Sequence, residues 1–255
     1  MSKIYYVIGD VHGRDKEFET LLSLVEADMQ KQPSENDIFL IQIGDLIDRG
    51  PASKAVVERC MALETQFPKA KVVVIKGNHE QALLDAYEKQ DEHQAHLWFR
   101  HAHGHGGGIR TLESYGAMNV EDSPKEIIKA VQKYIPQNHI NYLTHLPTSF
   151  ADGNYFFAHA GVDPEVPLSE QKDDDLIDIR HPFLMYEKPF EKVIVHGHTP
   201  RRNGEILPNR VNTDAGAGYG LHLKCFILPE TYVPEQVRVL AVTIEGIPDW
   251  DDSLT

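Results

Sequence analysis

The sequence predicts an α/β fold of two packed sheets with helices outside, and three observations lead to it. Apolar, β-branched runs at 4–8, 38–43 and 72–75 read as buried strands. Helical periodicity fills the segments after them, so the first half runs β-α-β-α-β-α with parallel strands. The second half changes to short strands with glycine-containing turns, which implies a second sheet packed on the first.

Each element has its own reason. Between 15 and 29, Phe18, Leu21, Leu22 and Val25 recur at the spacing of one helix face. Pro33 and Ser34 break that helix before the second strand. Pro51 suits the first turn of a helix reaching Gln66, with Val56, Cys60 and Leu63 in its apolar pattern. Glu80 then opens a long helix towards Arg100. Residues 101–108 are only His, Ala and Gly and read as a mobile loop. Helical patterns resume at 109–115 and 124–135. Gly153-Asn154, between 148–151 and 155–158, signals a hairpin, and 193–196, 210–212, 221–228 and 237–243 read as further strands. The acidic tail 250–255 is expected to fray. No repeat, linker or low-complexity tract interrupts the chain, so residues 1–255 read as one domain.

A chain of 255 residues with 41% hydrophobic residues can bury a full core. Its net charge of −14 disfavours general nucleic-acid binding, although a local basic pocket can still take a phosphate ester. Cys60 and Cys225 lack metal-type neighbours and read as buried thiols in a reducing compartment. No signal-peptide pattern appears, and no apolar run approaches the ~18 residues of a membrane span. The expectation is a cytoplasmic protein without a membrane partner.

Gly9-Asp10-Val11-His12-Gly13, Gly44-Asp45-Leu46-Ile47-Asp48-Arg49-Gly50 and Gly77-Asn78-His79-Glu80 fall on the loops leaving three successive strands. Ligands of open α/β sheets bind outside the carboxyl ends of the strands. Carboxylates, histidines and an asparagine would converge there beside an arginine. That is oxygen and nitrogen ligation suited to divalent metals, with a positive group for an anion. His159-Ala160-Gly161 and His196-Gly197-His198-Thr199-Pro200 follow two more strands. These five strings, in this order, resemble the phosphoprotein phosphatase family of calcineurin-like metallophosphoesterases, most of all its small bacterial and phage serine/threonine phosphatases.

The resemblance implies a four-layer α/β/β/α sandwich with mixed sheets and a dinuclear-metal phosphatase. Its substrates would be phosphomonoesters, including phosphoserine or phosphothreonine in proteins. Asp10 and His12 would hold one metal from a single loop. Asp45 would bridge, and Asn78, His159 and His198 would complete the second site. Manganese is the expected metal, with iron or zinc fitting the same ligands. A metal-bridging hydroxide would attack phosphorus directly, without a covalent intermediate. Arg49 would grip phosphate oxygens. His79, oriented and charged by Asp48, would protonate the leaving oxygen. The partner is a phosphorylated protein or a small phosphoester.

Some residues depart from the family pattern or have ordinary readings. The family's Leu-Leu-Trp-x-Arg is here Leu176-Ile177-Asp178-Ile179-Arg180. Arg180 is the expected second phosphate-binding arginine; the alternative is a surface arginine paired with Asp178. Gly106 stands where the small bacterial branch carries Asn. Asp214-Ala215-Gly216 reads as a structural turn, His196 as a structural histidine, and Trp98 and Tyr115 as packing residues. Glu80 complements a helix N-terminus. His93, His96, His101, His103 and His105 read as a solvated loop rather than a further metal site. Arg100 and Arg110 flank that loop and would add positive charge if it folds over the cleft.

Three rivals remain. A symmetric dinucleoside-tetraphosphatase uses the same scaffold but needs several cations beyond the metals. A phosphodiesterase or nuclease of the wider superfamily often carries Gly-His-x-His, whereas Thr199-Pro200 follow His198 here. A non-catalytic metal-binding scaffold would be expected to lose Asp48, Arg49 or His79, and all are present.

Overall fold

The computed structural model describes residues 2–100 and 107–244. Strands β1 (Lys3–Ile8), β2 (Asp37–Gln42) and β3 (Ala70–Val74) pair in parallel. The antiparallel strands β9 (His222–Pro229) and β10 (Arg238–Thr243) extend that sheet, giving the order β10-β9-β1-β2-β3. The second sheet runs β4-β5-β6-β8-β7, from β4 (Ser149–Asp152), β5 (Tyr155–Ala158), β6 (Val193–His196), β7 (Glu205–Ile206) and β8 (Arg210–Asn212). Its three central strands are parallel and its two outer ones antiparallel. Gly153, at φ +51°, turns the β4–β5 hairpin.

Successive strand residues point to opposite faces, and this alternation builds the layers. Tyr5 and Val7 face the other sheet, where they bury with Phe39, Ile41, Phe157 and Val195. Tyr6 and Ile8 face the helices and share a core with residues of α1 (Asp15–Met29), α2 (Ser53–Gln66), α3 (Asn78–Leu84), α4 (Glu92–Arg100), α5 (Gly108–Ser114), α6 (Pro124–Tyr134) and α7 (Gln137–Thr144). On the far side, Phe156 and Ile194 are covered by Phe183 and by Leu176 of α8 (Asp173–Asp178). The result is the mixed-sheet four-layer sandwich that the motifs imply.

The structure corrects several local expectations. The helix expected from Glu80 to Arg100 starts at Asn78 and is broken: α3 passes into a π-helical turn at Asp85–Lys89, then stops at Gln90, which is left-handed at φ 50°. Asp91 restarts it, its carboxylate accepting the His93 and Gln94 N–H groups at 2.9 and 3.1 Å as a helix cap does. His93 and His96 therefore ride on α4 rather than in a loop, and His96 Nε2 is 3.1 Å from the Asp122 carboxylate. Gly108, expected in the mobile loop, is buried at the start of α5. A Cβ there would lie 2.4 Å from the Trp98 ring, so tight packing rather than freedom selects glycine. His101, His103, His105, Gly106 and the tail 250–255 lie outside the described residues. Helices α7 and α8 were not expected, because α7 is polar and α8 opens on three aspartates. No described helix is long and apolar enough to cross a membrane.

A partly buried ion pair ties the last strand to the first helix. Asp28 is 8% exposed and accepts from Tyr6 Oη at 2.7 Å and from both Arg238 Nη atoms at 2.8 and 2.9 Å. The Arg238 hydrogen bonds, helped by Tyr6 and outweighing burial, depress the Asp28 carboxyl to about 2. Its folded value lies below its unfolded one, so the stabilisation is complete above the ordinary carboxylate range and is lost as pH falls towards 2. Asp28→Asn is expected to cost about 1–2 kcal/mol at neutral pH, after discounting for the half-exposed Arg238. Urea titrations at neutral pH and at about pH 3 measure it. A penalty that does not shrink on acidification would exclude this account.

Candidate active site

The motif loops leave the carboxyl ends of β1, β2, β3, β5 and β6, on one edge of both sheets. Their backbone is unusual. His12, Asp45, Asp48, Arg49 and His198 all have positive φ, between 47° and 71°. Aspartate and histidine tolerate this region better than most residues, but it remains sparsely populated, and the surrounding contacts must hold it. Glu80 supplies many of them. One of its oxygens accepts the Asp45 and Gly77 N–H groups, each at 2.9 Å; the other accepts those of Leu46 and Ile47 at 2.9 and 3.3 Å. The expected helix-terminus role of Glu80 is thus joined to a second one, clamping the Asp45 loop. Burial raises this carboxyl to about 7. Gly77 is required beside it, since a Cβ would lie 2.2 Å from Asp45 Oδ1.

Asp45 stands between two groups of side chains. Its Oδ2 is 3.3 Å from His12 Nε2 and 3.7 Å from His79 Nε2, and its Oδ1 is 3.3 Å from His159 Nε2. His12, Asp45 and His79 form one set within metal-ligand range, and Asp45, His159 and His198 form the other. Asn78 joins the second set, its Oδ1 lying 3.1 Å from His159 Nε2 and 3.0 Å from His198 Nδ1. Asp10 lies in neither set, but its Oδ2 accepts the His198 N–H at 3.0 Å. Its Oδ1 is buried without a hydrogen-bond partner among the described residues. Burial, then the nearby Asp214 charge, pushes the Asp10 carboxyl well above its ordinary value. A buried carboxylate oxygen with no donor is what a cation would satisfy. His12 and His159 each donate Nδ1–H to a backbone carbonyl, of Ile47 and Ile43, both at 2.9 Å, which leaves Nε2 as an inward lone pair. The donor set fits two divalent ions sharing Asp45.

His79, Asp48 and Arg49 sit against this centre. His79 donates Nδ1–H to Asp48 Oδ2 at 2.6 Å. Burial lowers the affinity of the imidazole for a proton, yet Asp45 and the Asp48 hydrogen bond outweigh it and leave His79 raised above its ordinary value. Asp48 is fully buried and accepts two further bonds, from Trp98 Nε1 at 2.9 Å and Thr111 Oγ1 at 2.5 Å. Trp98 therefore packs, as expected, and also fixes Asp48. The Arg49 guanidinium reaches His12 Nε2 at 2.8 Å and His79 Nε2 at 3.3 Å, and lies 4.6 Å from the Tyr219 ring centroid.

Sequence reasoning missed Tyr219, Thr111 and the Asp48 contact of Trp98. Tyr219 had a usable signal, because its loop follows strand β8 as the other motif loops follow theirs. Thr111 and Trp98 had none, being 63 and 50 residues from Asp48. Arg180 donates to Thr199 Oγ1 at 3.1 Å, next along the chain from His198, and its charge acts on both His198 and Asp178. His196 is fully buried, edge-on to Phe183, with Nδ1 3.0 Å from Gly197 O; burial lowers it to about 3. Asp214 accepts the Gly216 N–H at 2.9 Å, as a structural turn requires. Tyr115 Oη is 2.8 Å from His139 Nδ1, away from the motif loops. Arg100 pairs with Asp122 and Arg110 with Glu113, both on the exposed surface.

The chain as a whole is similar to known proteins. The model of the calcineurin-like phosphoesterase family matches residues 5–220. The bis(5'-nucleosyl)-tetraphosphatase PrpE [asymmetrical] of Anoxybacillus flavithermus is 26% identical over 246 residues, covering 89% of this chain and 91% of that protein. The symmetrical bis(5'-nucleosyl)-tetraphosphatase of Wigglesworthia glossinidia brevipalpis is 39% identical over 85 residues, 33% of this chain and 27% of that one. Among solved structures, a provisionally named diadenosine tetraphosphatase superposes with TM-score 0.62 at 21% identity, covering 95% of each chain. A Saccharomyces cerevisiae serine/threonine phosphatase superposes with TM-score 0.53 at 14% identity, covering 96% of this chain and 81% of that one. A family match across most of the chain agrees with the sandwich and with two ligand sets that share one aspartate: this protein belongs to the calcineurin-like phosphoesterase family.

Proposed function

We propose that this chain hydrolyses phosphate monoesters at a two-metal centre, with phosphoserine or phosphothreonine segments among its substrates. Asp10 and His12 would hold one divalent ion, Asn78, His159 and His198 the other, and Asp45 both. Two such ions, when bound, supply Lewis-acid charge that activates water and neutralises the phosphoryl oxygens. Arg49 presents its guanidinium to the same oxygens, supported by the Tyr219 ring whose centroid lies 4.6 Å from it. Arg180, anchored on Thr199, is the proposed second grip. His79 gives a proton to the leaving oxygen, and Asp48 keeps the ring charged and correctly turned.

The observation that carries the monoester reading is the groove beside His79. It has a volume of about 480 Å³ and is lined by Asp85, Asp174 and Asp178 with Leu97 and Ile177, and by no lysine or arginine among the described residues. A leaving group on the His79 side would meet acids there. Departing polyphosphate would be repelled, while an uncharged or basic alcohol would not.

A second reading, hydrolysis of dinucleoside tetraphosphates, is favoured by the names of relatives that span about nine-tenths of the chain. The ratio of kcat/KM for a phosphopeptide to that for a dinucleoside tetraphosphate, at matched metal and salt, separates the two. The expected ratio is about tenfold or more in favour of the phosphopeptide. A ratio favouring the dinucleotide would overturn the monoester reading and leave the metal centre standing.

A further inference from the structure

The histidines of the centre differ in how their second ring nitrogen is held. His12 and His159 turn Nε2 inward and donate Nδ1–H to backbone carbonyls. His198 is reversed. Its Nδ1 lies 3.0 Å from Asn78 Oδ1, the same oxygen that sits 3.1 Å from His159 Nε2, so Nδ1 is its inward nitrogen. The outward Nε2 is buried, in a residue only 7% exposed, and has no hydrogen-bond partner among the described residues. Asp178 Oδ1 stands 3.6 Å from it. A ring that ligates through Nδ1 carries its proton on Nε2, and a buried N–H without an acceptor is costly.

We propose that Asp178 accepts the Nε2–H of His198 and thereby fixes the tautomer and ring orientation that aim Nδ1 at the second metal. Metal-ligating histidines commonly donate their other ring N–H to a carboxylate or a carbonyl, and this partner raises the basicity of the ligating nitrogen. The backbone plays that part for His12 and His159; at His198 the carboxylate at the end of α8 does. The 3.6 Å separation is about 0.5 Å longer than a hydrogen bond. The Asp178 side chain is 72% exposed and so has room to turn towards Nε2. Asp178 belongs to neither metal-ligating set, and it is a positioning residue rather than a ligand. The inference rests on the two-metal reading above.

Calorimetric titration of manganese into the metal-free full-length chain tests it without relying on activity. The unsubstituted protein is expected to take up two ions. In Asp178→Ala one of the two should bind about 10- to 100-fold more weakly, with the other within about twofold. In Asp178→Asn the amide oxygen still accepts, and most of the lost affinity should return. Circular dichroism of each variant checks that the exposed substitution leaves the fold intact. Two ions bound by Asp178→Ala with unaltered affinities would overturn the inference alone. Equal losses in Asp178→Ala and Asp178→Asn would trace the effect to charge and overturn the acceptor role. An unsubstituted chain that binds fewer than two ions would overturn the two-metal reading, and this inference with it.

Discussion

Asp45→Asn is expected to abolish hydrolysis and to lower the metal content of both sites together. The two oxygens of Asp45 face different ligand sets, Oδ2 towards His12 and Oδ1 towards His159, so one substitution reaches both. The amide keeps one oxygen but removes the charge that the two sites share. Changing the outer-shell partners of metal ligands costs 10–100-fold, so losing a shared ligand should cost about a hundredfold or more. A strong chelator should silence the unsubstituted enzyme, and added manganese should restore it. Metal analysis of the purified protein, beside its activity, provides the check. Full activity with one ion or none would end the dinuclear proposal. The substitution is also a folding risk, because Asp45 takes part in the loop that Glu80 clamps, so circular dichroism of the variant belongs to the experiment.

His79→Asn and Arg49→Ala should differ in kind. Loss of a general acid harms esters with poor leaving groups most, since an aryl oxide departs without much protonation. His79→Asn is therefore expected to lower the rate on alkyl phosphates by about 10²-fold or more and to spare aryl phosphates in part. Arg49 is proposed to touch the transferred phosphoryl group, so Arg49→Ala should harm both substrate classes alike. The measurement is kcat/KM for a paired alkyl and aryl phosphate in each variant. Equal losses in His79→Asn would assign His79 to the metal site, a position its Nε2, 3.7 Å from Asp45, also permits.

The order of strands and the residues at their carboxyl ends were readable because each rule is local. Strands buried on both faces are continuous apolar runs, and the Asp, His and Asn types that ligate metals stand directly after them. Asp10, His12, Asp45, Asn78, His159 and His198 are accordingly residues that the fold brings to one edge. The break in the helix after Leu84 was less readable. It depends on a left-handed Gln90 and a capping Asp91, and neither disturbs the hydrophobic period strongly.

By itself, then, the sequence determined the layer architecture, the edge on which the site forms and the chemical types gathered there. Periodicity and motif spacing report burial and chain direction, which are set over a few residues. Only the tertiary structure decided how those types are poised. Thr111 and Trp98 cross 63 and 50 residues to hold Asp48. Tyr219 arrives from the other sheet's loops to lie against Arg49, and Asp122 draws Arg100 into an ion pair. Asp178 comes to rest beside the outward nitrogen of His198. These are contacts between segments distant along the chain. They exist only once the sheets and helices have packed, because packing alone brings such groups within hydrogen-bonding or stacking distance.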